Sequence, residues 1–441
     1  MLTKQTLYNM KPYSKYKQSG IEWIGEIPEH WEVKRLKYLV QEPLKYGANE
    51  SANDDNPDNP RYIRITDFGS DGNLKPDTFK SLPENIAKDY ILKEGDVLFA
   101  RSGATVGKTF LFKGYNERAC FAGYLIKATV NNKLIDSTFL SYLTKTNFYE
   151  NWKQSAFQQA TIQNIGADKY NNLIIPTPSS YKESLLIANY LDVKTSEIDE
   201  LIAKKEQLIA LYKEERTATI NQAVTKGLDP NVPMKDSGIE WLGEIPEHWE
   251  VKRLKNTCQL ITNKTQVKPD YVLALENIES WTGNILNTVG ANEMQGDVNL
   301  FIEKDILFNK LRPYLAKVVI APNVGGCVGE LLVLRAYDGI NSSFLFHRLI
   351  SEYIITIVDG STYGSKMPRA SWDKFISNIE FGIPPIIEQG LIADFLDNKN
   401  KEFDNLLSKT EQEIELLKEY KKALISEVVL GKIDVREEVN N

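Results

Sequence analysis

Ser19–Lys37 reads SGIEWIGEIPEHWEVKRLK, and Ser237–Lys255 reads SGIEWLGEIPEHWEVKRLK. Over these 19 residues the copies differ only at Ile24 against Leu242, at an offset of 237 − 19 = 218. A second echo follows each copy: LIANYLD at Leu186–Asp192 and LIADFLD at Leu391–Asp397, at an offset of 391 − 186 = 205. The intervening stretch is therefore 218 − 205 = 13 residues shorter in the second half. The chain is built as segment, domain, segment, twice over. Between the echoes, residues 38–185 and 256–390 share only scattered patterns. A constant frame with divergent filling suits a device that keeps its partner surfaces and changes what it reads.

Within the repeat, Trp23, Ile24, Ile27, Trp31, Val33 and Leu36 are expected to pack, with Gly25 and Pro28 turning the chain. His30 and His248 sit inside this apolar turn and read as satisfied structural groups, not catalytic ones. Each echo opens an amphipathic helix. A heptad frame places Leu191, Ile198, Lys205 and Tyr212 at a, with Lys194, Leu201 and Leu208 at d. Ile202 and Ile209 widen that stripe. The same frame places Leu396, Phe403, Thr410, Leu417 and Leu424 at a, with Leu406 and Tyr420 at d; Leu407 and Ile414 lie alongside. Ser180 with Glu183 has capping-box spacing, and Pro384-Pro385 precedes Glu388 in the second copy. Gly227 and Pro230 stop the first helix. Helices of about 40 residues, roughly 60 Å at 1.5 Å per residue, must bury a long seam. The expectation is that they pair with each other, antiparallel.

The divergent segments contain short apolar runs, Asp96–Ala100, Thr109–Phe112, Leu173–Pro176, Lys304–Phe308 and Lys317–Ala321, broken by Gly, Asn, Asp and Pro. They predict β-rich cores with long loops. The expected fold is α+β: two β-rich domains joined by two long helices in an antiparallel coiled coil, with a pseudo-two-fold internal repeat. The boundaries read as an arm at 1–18, the first domain at 19–185 and a helix at 186–227. A linker at 228–236, the second domain at 237–390, a helix at 391–435 and a tail at 436–441 follow.

Composition narrows the function. The 441 residues carry 53 Lys and Arg against 60 Asp and Glu, a net charge of −7. A generally basic coat is excluded, though a local basic groove is not. Three Cys, at 120, 258 and 327, form no CxxC, which argues against a disulfide framework or a Cys-rich zinc site and suits a reducing cytosol. No apolar run approaches the roughly 20 residues that span a bilayer, and the first residues lack a signal-peptide core. The expected location is cytoplasmic, with no membrane partner. Gly103–Thr109 (GATVGKT) resembles a phosphate-binding loop, but the pattern GxxxxGK[ST] needs its first Gly where Ser102 stands, and another strand follows instead of a helix. GxGxxG, HExxH and the amino-methyltransferase [ND]PP[YFW] motif are absent; Ile383-Pro384-Pro385-Ile386 lacks the Asn and the aromatic. With three His and no Ser–His signal, the chain reads as a binding protein, not an enzyme.

Several strings resemble the specificity subunits of type I restriction–modification systems. They are the repeat itself, GDVLFARSGATVGK at Gly95–Lys108, DILFNKLRPYLAKV at Asp305–Val318, STYGSKMPRASWDKFISNIEFGIPPIIEQ at Ser361–Gln389, and the two LIA-x-[YF]-LD helices. Together they cover nearly the whole chain in the family's order. The resemblance implies two target recognition domains, each followed by a long helix, reading a bipartite, asymmetric double-stranded DNA target with one half-site per domain. It implies two modification (methyltransferase) subunits and restriction (endonuclease and translocase) subunits as partners. It places S-adenosylmethionine, ATP and magnesium chemistry in those partners, with no cofactor, metal or catalytic residue in this chain.

Phosphates want Lys and Arg, and base edges want Arg, Lys, Asn and Gln. The loop-like candidates in the first domain are Arg101, Ser102, Lys108, Gln158, Gln159, Thr161, Gln163 and Asn164. In the second they are Lys310, Arg312, Tyr314, Ser361, Thr362, Tyr363, Ser365, Lys366 and Arg369. The strings Gln158–Asn164 and Ser361–Arg369 hold comparable places before each helix. Two rival readings are a coiled-coil scaffold that never reads sequence and a degenerate single-chain methyltransferase or nuclease.

Overall fold

The computed structural model describes all residues except 1–9, 70–71, 104, 159–163, 268, 287–295 and 438–441. The chain divides into two compact units, one of Met1–Lys204 with Gln412–Asn441 and the other of Lys205–Glu411.

In the first unit an antiparallel sheet runs Lys45–Tyr46, Leu125–Thr129, Asp96–Ala100, Thr109–Leu111. Asp96–Ala100 is buried throughout, which is why it reads as a continuous apolar run and not an alternating one. Arg61–Ile63 lies parallel to Ala119–Phe121, and Glu32–Arg35, from the repeat, pairs antiparallel with Ile174–Thr177. The second unit repeats the plan: Cys258–Ile261, Leu331–Ala336, Ile306–Asn309, Val318–Ile320 form one antiparallel sheet. Val272–Leu273 lies parallel to Gly325–Cys327, and Glu250–Arg253 pairs with Glu380–Ile383. All three cysteines are free and buried, and burial pushes each thiol up to about 12.

The arm and the linker carry structure of their own. Tyr16–Gln18 pairs with Glu26–Pro28, and Met234–Asp236 pairs in the same register with Glu244–Pro246. Of the repeat's apolar residues, Ile24, Ile27, Trp31 and Leu36 are buried as expected, but Trp23 is 48% exposed. Its counterpart Trp241 lies under the Arg348 guanidinium, 5.7 Å away. Seven residues past the Asp136 cap of the matching helix in the first unit stands Leu143, where Arg348 is seven past the Asn341 cap.

The long helices span Tyr181–Lys226 and Ile386–Val429, so each begins five residues before the boundary read from the echo, and the second ends before 435. Each unit takes half of both. In the first unit Asp199 binds Lys421 at 2.6 Å, while Tyr13 joins Glu183 and Lys11 accepts from the Asp434 amide. In the second, Arg216 Nη1 donates to Asp404 at 2.8 Å and Nε to Asn400 at 2.9 Å, while Gly227 lies against Glu388 and Trp249. Each half-pair therefore runs antiparallel. The offset of 205 carries Asp199 to Asp404 and Arg216 to Lys421 (404 − 199 = 421 − 216 = 205), so the internal repeat extends into these ion pairs.

The seam differs from the expected register. Leu191, Ile198, Leu396, Phe403, Thr410, Leu417 and Leu424 are buried, and Tyr212 is half-buried. Leu201 is 38% exposed, and Leu208 and Leu406 are only half-buried. Buried positions also lie four residues beyond an a position, at Thr195 and Arg216 in one helix and Ile414 and Val428 in the other, while Ile202, Ile209 and Leu407 are half-buried like Leu208 and Leu406. Arg216 fits among them, 5% exposed, because Asn400 and Asp404 satisfy part of its guanidinium.

Candidate nucleic-acid interface

Both units hold their frame by the same device. In the first, Trp31 Nε1–H donates to Glu183 at 3.0 Å and His30 Nε2 lies 3.0 Å from the same carboxylate. In the second, Trp249 Nε1–H donates to Glu388 at 3.1 Å and His248 Nε2 lies 2.6 Å from it. Glu183 also accepts from the Ser179 amide, and its own amide is accepted by Ser180 Oγ, the capping pattern that starts the helix. The histidines are thus satisfied structural groups, as the sequence reading expects, and the groups that satisfy them are the helix-start glutamates.

On this frame each unit displays a loop after its central buried strand. Asp96 and Asp305 open the strands, each capping a preceding turn: Asp96 accepts from the Lys93 amide and Asp305 from the Ile302 amide, both at 2.8 Å. Counting five residues on from each aspartate matches Arg101 to Lys310. The loops close alike. Ser102 bridges Asn164 and the Ile165 amide donates to Arg101; Leu311 bridges Arg369 and the Ala370 amide donates to Lys310. The last residues of the two polar strings, Asn164 and Arg369, therefore hold the same place in the two units.

In the first unit the structure brings together Arg101, Ser102 and Asn164. The Arg101 guanidinium stacks 4.8 Å over Tyr46, and its buried Nε and the buried Oδ1 of Asn164 lack hydrogen-bond partners. Tyr46 and Tyr124 are exposed beside them, the Tyr124 carbonyl accepting from the Arg101 amide. Sequence reasoning missed both tyrosines; isolated aromatics beside Gly47 and Gly123 were the available signal. Lys108 is exposed at the base of the turn, whose backbone closes from Lys108 to Thr105. Gly103–Thr109 connects two strands, so no helix N-terminus stands behind it to hold a phosphate. Gln158 ends a helix; its side chain, together with Gln159, Thr161 and Gln163, lies outside the described residues.

In the second unit Lys310, Arg312, Tyr363, Lys366 and Arg369 gather. Arg369 is bound by Glu330 through Nε and Nη2, at 3.2 and 2.9 Å, and that carboxylate raises its pKa further above the ordinary value. Arg312, Tyr314, Tyr363, Ser365 and Lys366 are exposed. Ser361 and Thr362 are half-buried, and their hydroxyls donate to the Val358 and Asp359 carbonyls at the end of a helix, at 2.7 and 2.8 Å. Among the described residues no three His, Cys, Asp or Glu side chains gather as a metal-binding group, and no helix is long and apolar enough to cross a membrane.

A family model described as the type I restriction modification DNA specificity domain matches residues 28–211 and again 246–416. The chain belongs to that family. Its two matched segments contain one anchored frame and one closed loop each, so the family's domain is present twice. The chain is similar to the MjaVIII specificity subunit of Methanocaldococcus jannaschii, 25% identical and covering 93% of this chain and 94% of that one. It is also similar to the EcoDI specificity subunit of Escherichia coli, 24% identical over 87% and 86%. In fold it resembles the HsdS subunit from Thermoanaerobacter tengcongensis, with a TM-score of 0.59 over 92% of this chain and 98% of that one. A chain from a structure concerned with assembly of a type I restriction–modification system gives a TM-score of 0.68 over 92% and 99%.

Proposed function

We propose that this chain is the DNA-specificity subunit of a type I restriction–modification complex, with each unit reading one half of a bipartite, asymmetric duplex target. The observation that carries the reading is the pairing of one frame with two different loops. The same Trp–His–Glu anchor recurs in both units, and the segments closed against each other gather Arg101, Ser102 and Asn164 in one unit and Lys310, Arg312 and Arg369 in the other. A scaffold that never read sequence would have no use for two unlike loops on one frame.

The chain does no chemistry of its own on this reading. Two modification subunits and the restriction subunits supply methyl transfer, cleavage and translocation, with S-adenosylmethionine, ATP and magnesium bound there, in the cytoplasm where the DNA lies. The internal repeat, extending through the Asp199–Lys421 and Asp404–Arg216 pairs, suits two copies of one partner. The net charge of −7 means the free chain binds duplex weakly and the partners neutralise much of the phosphate charge.

The test is to map methylated bases written by the modification subunits with and without this chain. The expected result is a bipartite, asymmetric motif that disappears without it. Methyl transfer by the purified chain alone, or a motif independent of it, would sink the reading.

A further inference from the structure

Arg312 holds a left-handed backbone conformation, φ +51°, which L side chains other than Asn and Asp rarely adopt. The first unit has glycine at the matching place. Gly103 stands seven residues after Asp96, as Arg312 stands seven after Asp305, and its φ is +81°. The loop thus takes a left-handed residue in both units, and the second fills it with a side-chain-bearing residue that carries a strain glycine does not. Within the described residues Arg312 is held by its backbone, not its side chain. The guanidinium is exposed and reaches a long contact, 3.4 Å from Nη2 to the Lys366 carbonyl, while the Arg312 amide is pinned to the Pro368 carbonyl at 2.8 Å. Backbone strain kept at an exposed, anchored charge points to a ligand outside the chain.

The surroundings indicate which ligand. Lys310, Arg312, Lys366 and Arg369 stand together, and the Glu330 carboxylate beside them is taken by Arg369. Such a cationic cluster in a chain of net charge −7 fits polyphosphate backbone rather than a single base edge. We propose that Arg312 is a phosphate-contact residue of the second unit, held on a strained backbone so that its guanidinium fixes the register of the duplex under the reading loop. The first unit, with Gly103, lacks this contact. The inference rests on the DNA-reading function proposed above.

Arg312→Gly and Arg312→Asn both permit the left-handed conformation and remove the charge. In the full-length chain, binding to a random-sequence duplex would be followed over a range of salt concentrations, beside thermal melting. The expected result is melting at or slightly above the wild-type temperature, with a log–log salt slope shallower by about 0.9, the loss of one phosphate contact. Random and target duplexes should weaken by the same factor, and the methylation motif should stay as it was. A lower melting temperature in both variants would show that Arg312 holds the loop together and overturn the strain argument. An unchanged slope would remove the phosphate contact, and relaxation of the motif at one base would make Arg312 a base reader instead. A wild-type chain that binds all duplexes alike, with the slope change still present, would sink the specificity reading and leave this contact standing.

Discussion

At the residue scale, the frame turns on two glutamates. Burial alone would push the Glu183 carboxyl up, but hydrogen bonds from Trp31, His30 and Ser179 outweigh it and hold the group below its ordinary 4.5. Tyr13 also faces it, with Arg436 over the Tyr13 ring. A folded pKa below the unfolded one contributes stability that is complete above pH 4.5 and is lost as pH falls through the folded value. Glu183→Gln should therefore destabilise the first unit by about 1–3 kcal/mol at neutral pH, and the gap to wild type should close in acid. Urea unfolding of the full chain at pH 7 and pH 3.5 checks this; an equal gap at both values would show that the carboxylate's charge is not what matters. The structural role of His30 and His248 was legible in sequence, because an imidazole repeated inside an apolar turn has to find a partner. That the partner is the helix-start glutamate was not, since it lies 153 residues from His30 and 140 from His248. Trp23 misled for the opposite reason: its chemistry is that of a core residue, but its cover in the second copy depends on Arg348, and the first copy has Leu143 there.

At the scale of the element, helix positions and apolar faces followed from the heptads, while the seam's register did not. The apolar stripe is three residues wide, so Leu201 and Ile202 satisfy the pattern equally, and only the approach of the partner helix selects between them. The structure selects Ile202, with Ile198 at 5% exposure and Leu201 at 38%. Ile198→Ala should then cost about 2–5 kcal/mol, the usual range for emptying a packed aliphatic site, and Leu201→Ala well under half of that. Denaturant midpoints of the two single variants decide it. Equal losses would return the seam to the 201–208 line. The strands were read closely where both faces are buried, as at Asp96–Ala100, and were shifted by one or two residues where a loop follows.

At the scale of the molecule, each unit closes its own cores, and the frame rather than the filling is what the two share. The hydrophobic clusters of the first unit draw on residues up to 202 and from 417 onward, and those of the second on residues 220–396. A change in one reading loop therefore leaves the other unit's packing untouched, and half-site recognition should be separable. Arg101 stacks on Tyr46 with a free buried Nε, a guanidinium already oriented and able to donate to a base edge. Its loss should cost about 1–3 kcal/mol of discrimination at one base pair. Arg101→Ala should thus relax one half of the methylation motif and leave the other unchanged. Arg369→Ala should affect the other half alone, either by removing a contact or by leaving the Glu330 carboxylate unpaired beside the phosphates. Glu330→Gln separates these routes, because it frees Arg369 without adding a negative charge: a half-site that Arg369→Ala weakens and Glu330→Gln does not is read by the arginine. The measurement is the motif written by the complex carrying each variant. If either arginine variant altered both halves together, the two units would not be independent readers, and separate cores would not give separate recognition.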